Sequence, residues 1–126
     1  RFDRRAAIDY REKEKTTMRE VKVYENHLGG RGRMTTEPLL NEEQLNGKCG
    51  LYAKVTIDPG ASLGVHEHHG ETETYYILSG KGIYEDNGAK IPAKPGDVFF
   101  CKDGGSHGIE CTGTEPLVFM ALIING

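Results

Sequence analysis

The sequence predicts an all-β protein, a single-domain barrel or double-sheet jelly roll. About ten short runs of strand-like residues follow one another at close spacing, and a turn signal ends each of them. Glycine accounts for 17 of the 126 residues, and five prolines and many Asn and Asp residues add further turns. No run has the periodicity of an amphipathic helix, and the chain is long enough for one domain and too short for two. Short strands without helices are typical of barrels and jelly rolls.

The N-terminal quarter predicts an arm, an edge strand and a glycine-rich turn. Residues 3–17 are charged with few apolar positions, so we expect residues 1–17 to form a solvated arm or one short helical turn, and residues 18–126 to form the barrel. Residues 18–25 alternate and predict an edge strand. The Gly-Gly-Arg-Gly-Arg run that follows lacks the Lys-Ser/Thr of a phosphate-binding loop and predicts a turn. We expect His27, just before it, to be an ordinary surface residue.

The middle of the chain predicts one capped turn and one half-buried strand. Residues 38–47 predict a loop or a single helical turn capped by Asn41. Residues 49–58 alternate cleanly between apolar and polar positions until the Pro59–Gly60 turn, which predicts a strand with one buried face. That face consists of Cys49, Leu51, Ala53, Val55 and Ile57.

The C-terminal third predicts a hairpin and a buried strand. Asn87-Gly88 stands between two strand-like runs and is a strong hairpin signal. Residues 97–101 predict a strand, and a glycine-rich loop then leads to His107, so that Cys101 and Cys111 flank a predicted hairpin loop. Residues 116–124 are apolar on both faces, which predicts either a strand buried on both sides or a subunit contact.

The residues with the clearest chemistry lie between residues 60 and 80. His66 and His68 share one face of a predicted strand, because side chains alternate along a strand. Glu73 follows the His69-Gly70 turn, and a hairpin there would bring its carboxylate back toward the two histidines. With His107 added, three imidazoles and one carboxylate make a set of nitrogen and oxygen ligands suited to a divalent transition metal.

The spacing of these residues resembles the first sequence motif of the cupin superfamily, G-x5-H-x-H-x4-E-x6-G. All its fixed positions are present, at Gly60, His66, His68, Glu73 and Gly80. The second cupin motif, G-x5-P-x-G-x2-H-x3-N, is partly matched by Gly96, Gly104 and His107, whereas Lys102 replaces its Pro and Cys111 its Asn. The resemblance implies a double-stranded β-helix, the jelly roll of cupins, with His66, His68, Glu73 and His107 as ligands of one metal ion.

Several functions are compatible with such a site. Four protein ligands leave two positions of an octahedron open for a small oxygen-rich molecule, and the ion can be Zn, Ni, Mn, Fe, Co or Cu. Cupins include isomerases, dioxygenases, decarboxylases and lyases, so we favour a metal-dependent enzyme acting on a small polar metabolite. The alternatives are a non-catalytic ligand-binding or sensor module that contains the metal, and a purely structural metal.

Two further side chains are candidates for the pocket. Tyr75 lies on the same face of the predicted strand as Glu73, so we expect its phenol either to lie in the pocket or simply to pack within the sheet. Cys111 shares a face with His107 and predicts either a pocket thiol or a small buried apolar residue. The sequence does not identify a general base.

Composition restricts the partners and the compartment. The net charge of −3 gives no electrostatic basis for nucleic-acid binding. No apolar run is long enough for a membrane span, and the charged start predicts no signal peptide. Three cysteines without regular spacing favour free thiols in a reducing compartment, the cytoplasm. The apolar C-terminal strand and the habit of small cupins predict a homodimer.

Overall fold

The computed structural model describes residues 20–126, and ten β-strands, one short α-helix and one 3₁₀ turn lie in that range. The helix α1 spans Glu42–Leu45, and the 3₁₀ turn spans His27–Gly29. The strands are β1 (Lys22–Glu25), β2 (Arg33–Pro38), β3 (Cys49–Ile57), β4 (Ser62–Glu67), β5 (Glu71–Ser79), β6 (Gly82–Asp86), β7 (Ala89–Ala93), β8 (Val98–Cys101), β9 (Ser106–Cys111) and β10 (Leu117–Asn125).

The strands form two antiparallel sheets that pack face to face. Six strands lie in the order β1-β2-β3-β10-β5-β8, and four lie in the order β4-β9-β6-β7. Aromatic rings join the two layers, because Tyr84 of β6 stacks on Phe99 of β8 with ring centroids 4.2 Å apart, and Tyr75 of β5 lies edge-on to Tyr84. The predicted jelly roll is therefore confirmed.

Alternation along β3 and β10 builds the core. In β3 the side chains of Ala53, Val55 and Ile57 are buried, as the sequence predicts. In β10 the inward residues Leu117 and Phe119 are buried as well. The outward side chains of β10 are only partly covered, so burial on both sides is not realised within the described chain.

Two local predictions are confirmed in detail. Asn41 accepts a hydrogen bond from the backbone N–H of Gln44, and the Gln44 side chain accepts one from the N–H of Asn41, which forms a capping box at α1. Asn87 and Gly88 both have positive φ, which is the conformation of a type I′ turn, and they join β6 to β7.

Both predicted hairpins around the histidines are wrong. β4 pairs with β9 in the smaller sheet, whereas β5 pairs with β10 and β8 in the larger one. The turn at residues 68–70 therefore crosses between sheets. The same holds for β8 and β9, so Cys101 and Cys111 do not flank a hairpin. A short glycine-containing turn fits either connection, and the packing of the core decides between them.

His107 and the N-terminal strands differ in part from the prediction. His107 lies in β9 and not in a loop, and strand β2 was not predicted from the sequence. The edge strand expected at residues 18–25 is β1, which begins at Lys22 and does lie at an edge of the larger sheet. The predicted arm, residues 1–17, lies outside the described residues.

Within residues 20–126, no helix combines the length and the apolar character that crossing a lipid bilayer requires. Cys49, Cys101 and Cys111 are free thiols, and the last two are buried.

Candidate metal centre

Three strands and one turn bring His66, His68, Glu73 and His107 together. His66 lies near the end of β4, where it is paired in register with His107 of β9. His68 follows β4 directly, with its backbone N–H bonded to the carbonyl of Gly105. Glu73 comes from β5, so its carboxylate reaches the histidines from the opposite sheet. The four residues thus meet inside the barrel, at one end of the smaller sheet.

The ligand atoms of this group lie close enough to share one ion. One ring nitrogen of each histidine and one carboxylate oxygen of Glu73 lie within 4.8 Å of one another. Oε1 of Glu73 lies 2.9 Å from Nε2 of His68 and 3.0 Å from Nε2 of His107, and these two nitrogens are 3.0 Å apart. Three nitrogens and one hard oxygen form a donor set that fits a divalent transition metal.

The other ring nitrogen of each histidine has its own partner. Nδ1 of His66 donates to the carbonyl oxygen of Gly64 at 2.7 Å, and Nδ1 of His68 donates to Oε2 of Glu71 at 2.5 Å. Neither acceptor can supply a proton, so in the neutral imidazoles Nδ1 carries the hydrogen and Nε2 presents its lone pair. Nδ1 of His107 lies 2.8 Å from the hydroxyl of Tyr84. All three Nε2 atoms could therefore ligate a metal, His107 with the Tyr84 hydroxyl as the acceptor at its Nδ1.

Burial keeps this centre in the form that a metal requires. His68, Glu73 and His107 are at most 7% exposed. Burial lowers the pKa of His66, and the nearby His107 and His68 lower it further, because a second positive charge is unfavourable beside them. A lowered pKa favours the neutral imidazole of His66, which is the state that coordinates metals.

A small cavity of about 210 Å³ opens above the centre. His66, His68 and Glu73 line it, and most of the remaining wall is apolar. The apolar part consists of Leu28, Met34, Leu51, Val55, Leu63, Phe119, Ala121 and Ile123. Four other polar or aromatic residues complete the wall: Tyr24, His27, Thr36 and Tyr75.

The two pocket candidates from the sequence occupy different places. Tyr75 lines the cavity and stacks on the His107 ring, with centroids 4.9 Å apart. Burial raises the pKa of its phenol, and the neighbouring Glu73 raises it further, so Tyr75 keeps its proton. Cys111 lies in the core outside the cavity lining, with its Sγ 3.2 Å from the carbonyl oxygen of Glu115.

Sequence reasoning missed three residues around the site. Glu71 and Tyr84 contact the outer nitrogens of His68 and His107, and His27, which we expected to be an ordinary surface residue, lines the cavity. The position of Glu71, three residues after His68, was a usable signal once the turn was known. Nothing local pointed to Tyr84 or His27, since both reach the site through sheet packing.

Comparison with known proteins gives consistent matches. The family model described as a cupin domain matches residues 53–123. An oxalate-binding protein of Thermotoga maritima is 46% identical over 99 residues, which cover 79% of this chain and 82% of that protein. An oxalate decarboxylase of Bacillus subtilis is 33% identical over 75 residues, covering 56% of this chain and only 20% of the decarboxylase.

The fold has a similarly strong match among solved structures. A crystal structure from Thermotoga maritima, described as that of a predicted oxalate decarboxylase, superimposes with a TM-score of 0.83 at 42% sequence identity. The superposition covers 86% of this chain and 94% of the other.

Proposed function

The chain belongs to the cupin family, and we propose that it holds one divalent transition-metal ion on His66, His68, Glu73 and His107 and binds a small dicarboxylate of the oxalate class through that ion. The observation that carries the proposal is the convergence of three oriented Nε2 atoms and one carboxylate oxygen beneath a small cavity. When bound, the ion would supply positive charge and open positions for two ligand oxygens.

The size and lining of the cavity support a ligand of this class. A volume of about 210 Å³ is small, since pockets for drug-sized ligands start at roughly 300 Å³. Its largely apolar wall offers few hydrogen-bond partners to a long polar chain. The oxygens of the ligand must therefore be bound mainly by the metal ion. A compact molecule with two adjacent carboxylates fits these demands. The Thermotoga relative is named an oxalate-binding protein, which agrees with this chemistry.

The cavity supports binding better than turnover, although the sequence alone favours an enzyme. Apart from Glu73, no carboxylate of residues 20–126 lines the cavity. The Tyr75 phenol, with its raised pKa, is a poor base. A binding or sensor module is therefore our first proposal.

A metal-dependent decarboxylase is the second candidate. The observation in its favour is His27, which lines the cavity and could exchange protons with a ligand. The stretch shared with the Bacillus oxalate decarboxylase also supports it, but this stretch is a fifth of that enzyme. Incubation of metal-loaded protein with ¹³C-oxalate, followed by NMR, tests this candidate: accumulation of formate supports it, and unchanged oxalate removes it.

Metal analysis and oxalate titration test the first proposal. We expect about one equivalent of metal per chain in protein purified without chelator or histidine tag, and saturable oxalate binding in calorimetry. The variant His66→Ala should lose both. His69→Ala is the matched control, because His69 is exposed and, within residues 20–126, pairs with Glu67, so this variant should keep both. The proposal is contradicted if the parent protein stays metal-free after incubation with divalent metal ions, or if the metal-loaded parent does not bind oxalate.

We also propose a homodimer formed through the outer face of the larger sheet. In register, Val98 of β8 lies beside Tyr76 of β5, and Tyr76 lies beside Met120 of β10. The apolar surface continues over neighbouring strands and comprises Tyr52, Tyr76, Leu78, Val98, Phe100, Val118, Met120 and Leu122. Side chains of this size and exposure present on the order of 600 Å², at the upper end of what a monomer leaves uncovered.

Sedimentation at several concentrations tests the dimer. A two-fold contact would bury this surface against its own copy, so Phe100→Asp should shift the equilibrium strongly toward monomer. Ile91→Asp, an equivalent change at an exposed apolar residue on the smaller sheet, should leave the dimer intact. A parent protein that sediments as a monomer at every concentration contradicts the dimer.

The cytoplasm is the compartment we propose, because Cys49, Cys101 and Cys111 are all free thiols. Titration of the denatured protein, isolated without reductant, should find three thiols per chain, and a disulfide would speak against a reducing compartment.

A further inference from the structure

The 3₁₀ turn His27–Gly29 forms part of the mouth of the cavity. His27 and Leu28 line the same cavity as the metal centre. Leu28 is 49% exposed and His27 partly exposed, whereas His68 and Glu73 are buried. Residues that line a cavity and also reach solvent lie at its opening, so the buried His68 and Glu73 form the floor and this turn forms part of the rim.

Backbone packing fixes this rim on the barrel wall. A methyl group on Gly30 would overlap the carbonyl oxygen of Ser62, and one on Gly64 would overlap the carbonyl oxygen of Leu28. The two segments therefore approach so closely that only glycine fits at these positions. Arg31 adds a backbone hydrogen bond to Oγ of Ser62 at 3.1 Å. The position of the rim is thus set by strand β4, which also carries His66.

The rim also holds a strained backbone. Leu28 has a φ of +52°, a left-handed conformation that a branched apolar residue rarely adopts. Asn26, two residues earlier, has the same φ, and its side chain accepts a hydrogen bond from the N–H of Gly32. Such strain persists where the surroundings over-determine the conformation, and it clusters at ligand clamps. The neighbouring His27 ring is supported by Tyr24, with ring centroids 4.3 Å apart.

The cavity lining contains few groups that can balance the negative charge of a dicarboxylate, and His27 is one of them. No lysine or arginine of residues 20–126 lines the cavity. Outside the four metal-binding candidates, His27 is the one lining residue in this range that can become a cation. A dicarboxylate that offers two oxygens to the floor turns its other two oxygens toward the mouth. These oxygens need a donor, because an unpaired carboxylate oxygen in a largely apolar cavity is costly. Outside the metal-binding candidates, the lining side chains of residues 20–126 with a donor are Tyr24, His27, Thr36 and Tyr75, and of these His27 alone can also carry a positive charge.

We propose that His27 donates a hydrogen bond to the mouth-facing carboxylate oxygens of the bound ligand, and that it thereby selects dicarboxylates over 2-oxo monocarboxylates of similar size. This inference rests on the proposed function, because it requires a ligand held at the floor. Tyr24 and the 26–32 segment act as positioning elements that keep the imidazole in place before the ligand arrives, which limits the entropy lost on binding.

Calorimetry with two ligands tests this role in protein loaded with the ion that metal analysis finds. Both ligands can chelate through two adjacent oxygens, which are two carboxylate oxygens in oxalate and a carboxylate and a keto oxygen in pyruvate. Pyruvate has a methyl group in place of one of the two outer oxygens of oxalate and carries one negative charge fewer. We expect His27→Ala to weaken oxalate binding by about tenfold or more, the range for a hydrogen bond to a charged group, and to change pyruvate binding far less. Metal content should be that of the parent. His69→Ala, which removes an exposed histidine outside the cavity, should change neither affinity.

The outcomes separate this inference from the proposed function. A metal-loaded parent that binds no oxalate removes the proposed function and this inference with it. If the parent binds oxalate and His27→Ala binds it equally well, only the role of His27 is overturned. An equal loss for both ligands, or a loss of metal, would show a structural role and would also overturn it.

Discussion

The hydroxyl oxygen of Tyr84 lies 2.8 Å from Nδ1 of His107, whose other ring nitrogen lies 3.0 Å from Oε1 of Glu73. When Nε2 is directed at a metal, Nδ1 carries the proton and donates a hydrogen bond to the hydroxyl oxygen of Tyr84. The phenol therefore fixes both the tautomer and the orientation of His107. Both residues are 1% exposed, and no water can replace the phenol without rearrangement. We therefore predict that Tyr84→Phe lowers metal affinity by about tenfold to a hundredfold, as measured by competition with a chelating indicator.

Tyr76→Phe is the matched control for Tyr84→Phe. Tyr76 lies on β5 in the larger sheet and is 47% exposed on its outer face, away from the centre. Its metal affinity should equal that of the parent. An unchanged affinity in Tyr84→Phe, with the fold intact by circular dichroism, would show that the phenol does not orient the ligand.

Glu71 accepts a hydrogen bond from Nδ1 of His68, as Tyr84 does from Nδ1 of His107, but Glu71 also carries a negative charge. Its Oε2 lies 2.5 Å from Nδ1 of His68, and a carboxylate there makes Nε2 a stronger donor to a metal. Glu71→Gln keeps an acceptor and removes the charge, so we predict a loss of metal affinity of about tenfold. The chain contains a natural control in the exposed pair Glu67–His69, with an Nε2–Oε1 distance of 2.9 Å. Glu67→Gln should have no effect, and equal effects of the two variants would refute a specific role of Glu71.

Local rules were sufficient for the parts of this structure that depend on one strand or one turn. The alternation in β3, the capping residue Asn41 and the Asn87-Gly88 turn are each determined by neighbours in sequence, and all three were predictable. The shared face of His66 and His68 follows from the same period of two. The motif spacing then added Glu73 and His107, which no local rule could bring to the same place.

Contacts between distant segments were not predictable in this way. The turn at residues 68–70 looks like a hairpin turn, yet it crosses between sheets, because β4 finds its partner in β9 and not in β5. The place of His27 at the mouth depends on the contact of Gly30 and Gly64, more than thirty residues apart. A run of glycines in a sequence indicates a flexible backbone. Only the folded structure shows which other segment of the chain packs against those glycines.

The Lys94–Asp97 contact gives a pH-dependent prediction. Hydrogen bonds from the Lys94 side chain, at 2.8 Å, and from its backbone N–H, at 3.0 Å, lower the pKa of Asp97 below its ordinary value of 3.8. A carboxyl whose pKa is lower in the folded state stabilises the fold above the unfolded-state pKa, and this contribution is lost as the pH falls through the folded-state pKa.

We therefore predict that Asp97→Asn lowers the urea midpoint of unfolding slightly at pH 6, and that the difference from the parent disappears well below pH 3.8. The effect is small because the Lys94 side chain is exposed and solvent screens its charge. Lys94→Gln is the companion variant and should reduce the same pH dependence. A difference between parent and Asp97→Asn that stays constant with pH would show that the charge of Asp97 is not its cause.

Gly64 links the rim of the cavity to the strand that carries His66, and its substitution should disturb both. A methyl group there would overlap the carbonyl oxygen of Leu28, so the 3₁₀ turn or β4 must shift. We predict that Gly64→Ala lowers the free energy of unfolding by about 1–3 kcal/mol, as overpacking does, and weakens oxalate binding in the fraction that remains folded. Gly113→Ala is the control, because its nearest neighbour would be 3.6 Å away, and it should change stability by less than about 0.5 kcal/mol. Urea unfolding and calorimetry measure both effects, and a Gly64→Ala protein as stable as the control would mean that the rim is not held by this contact.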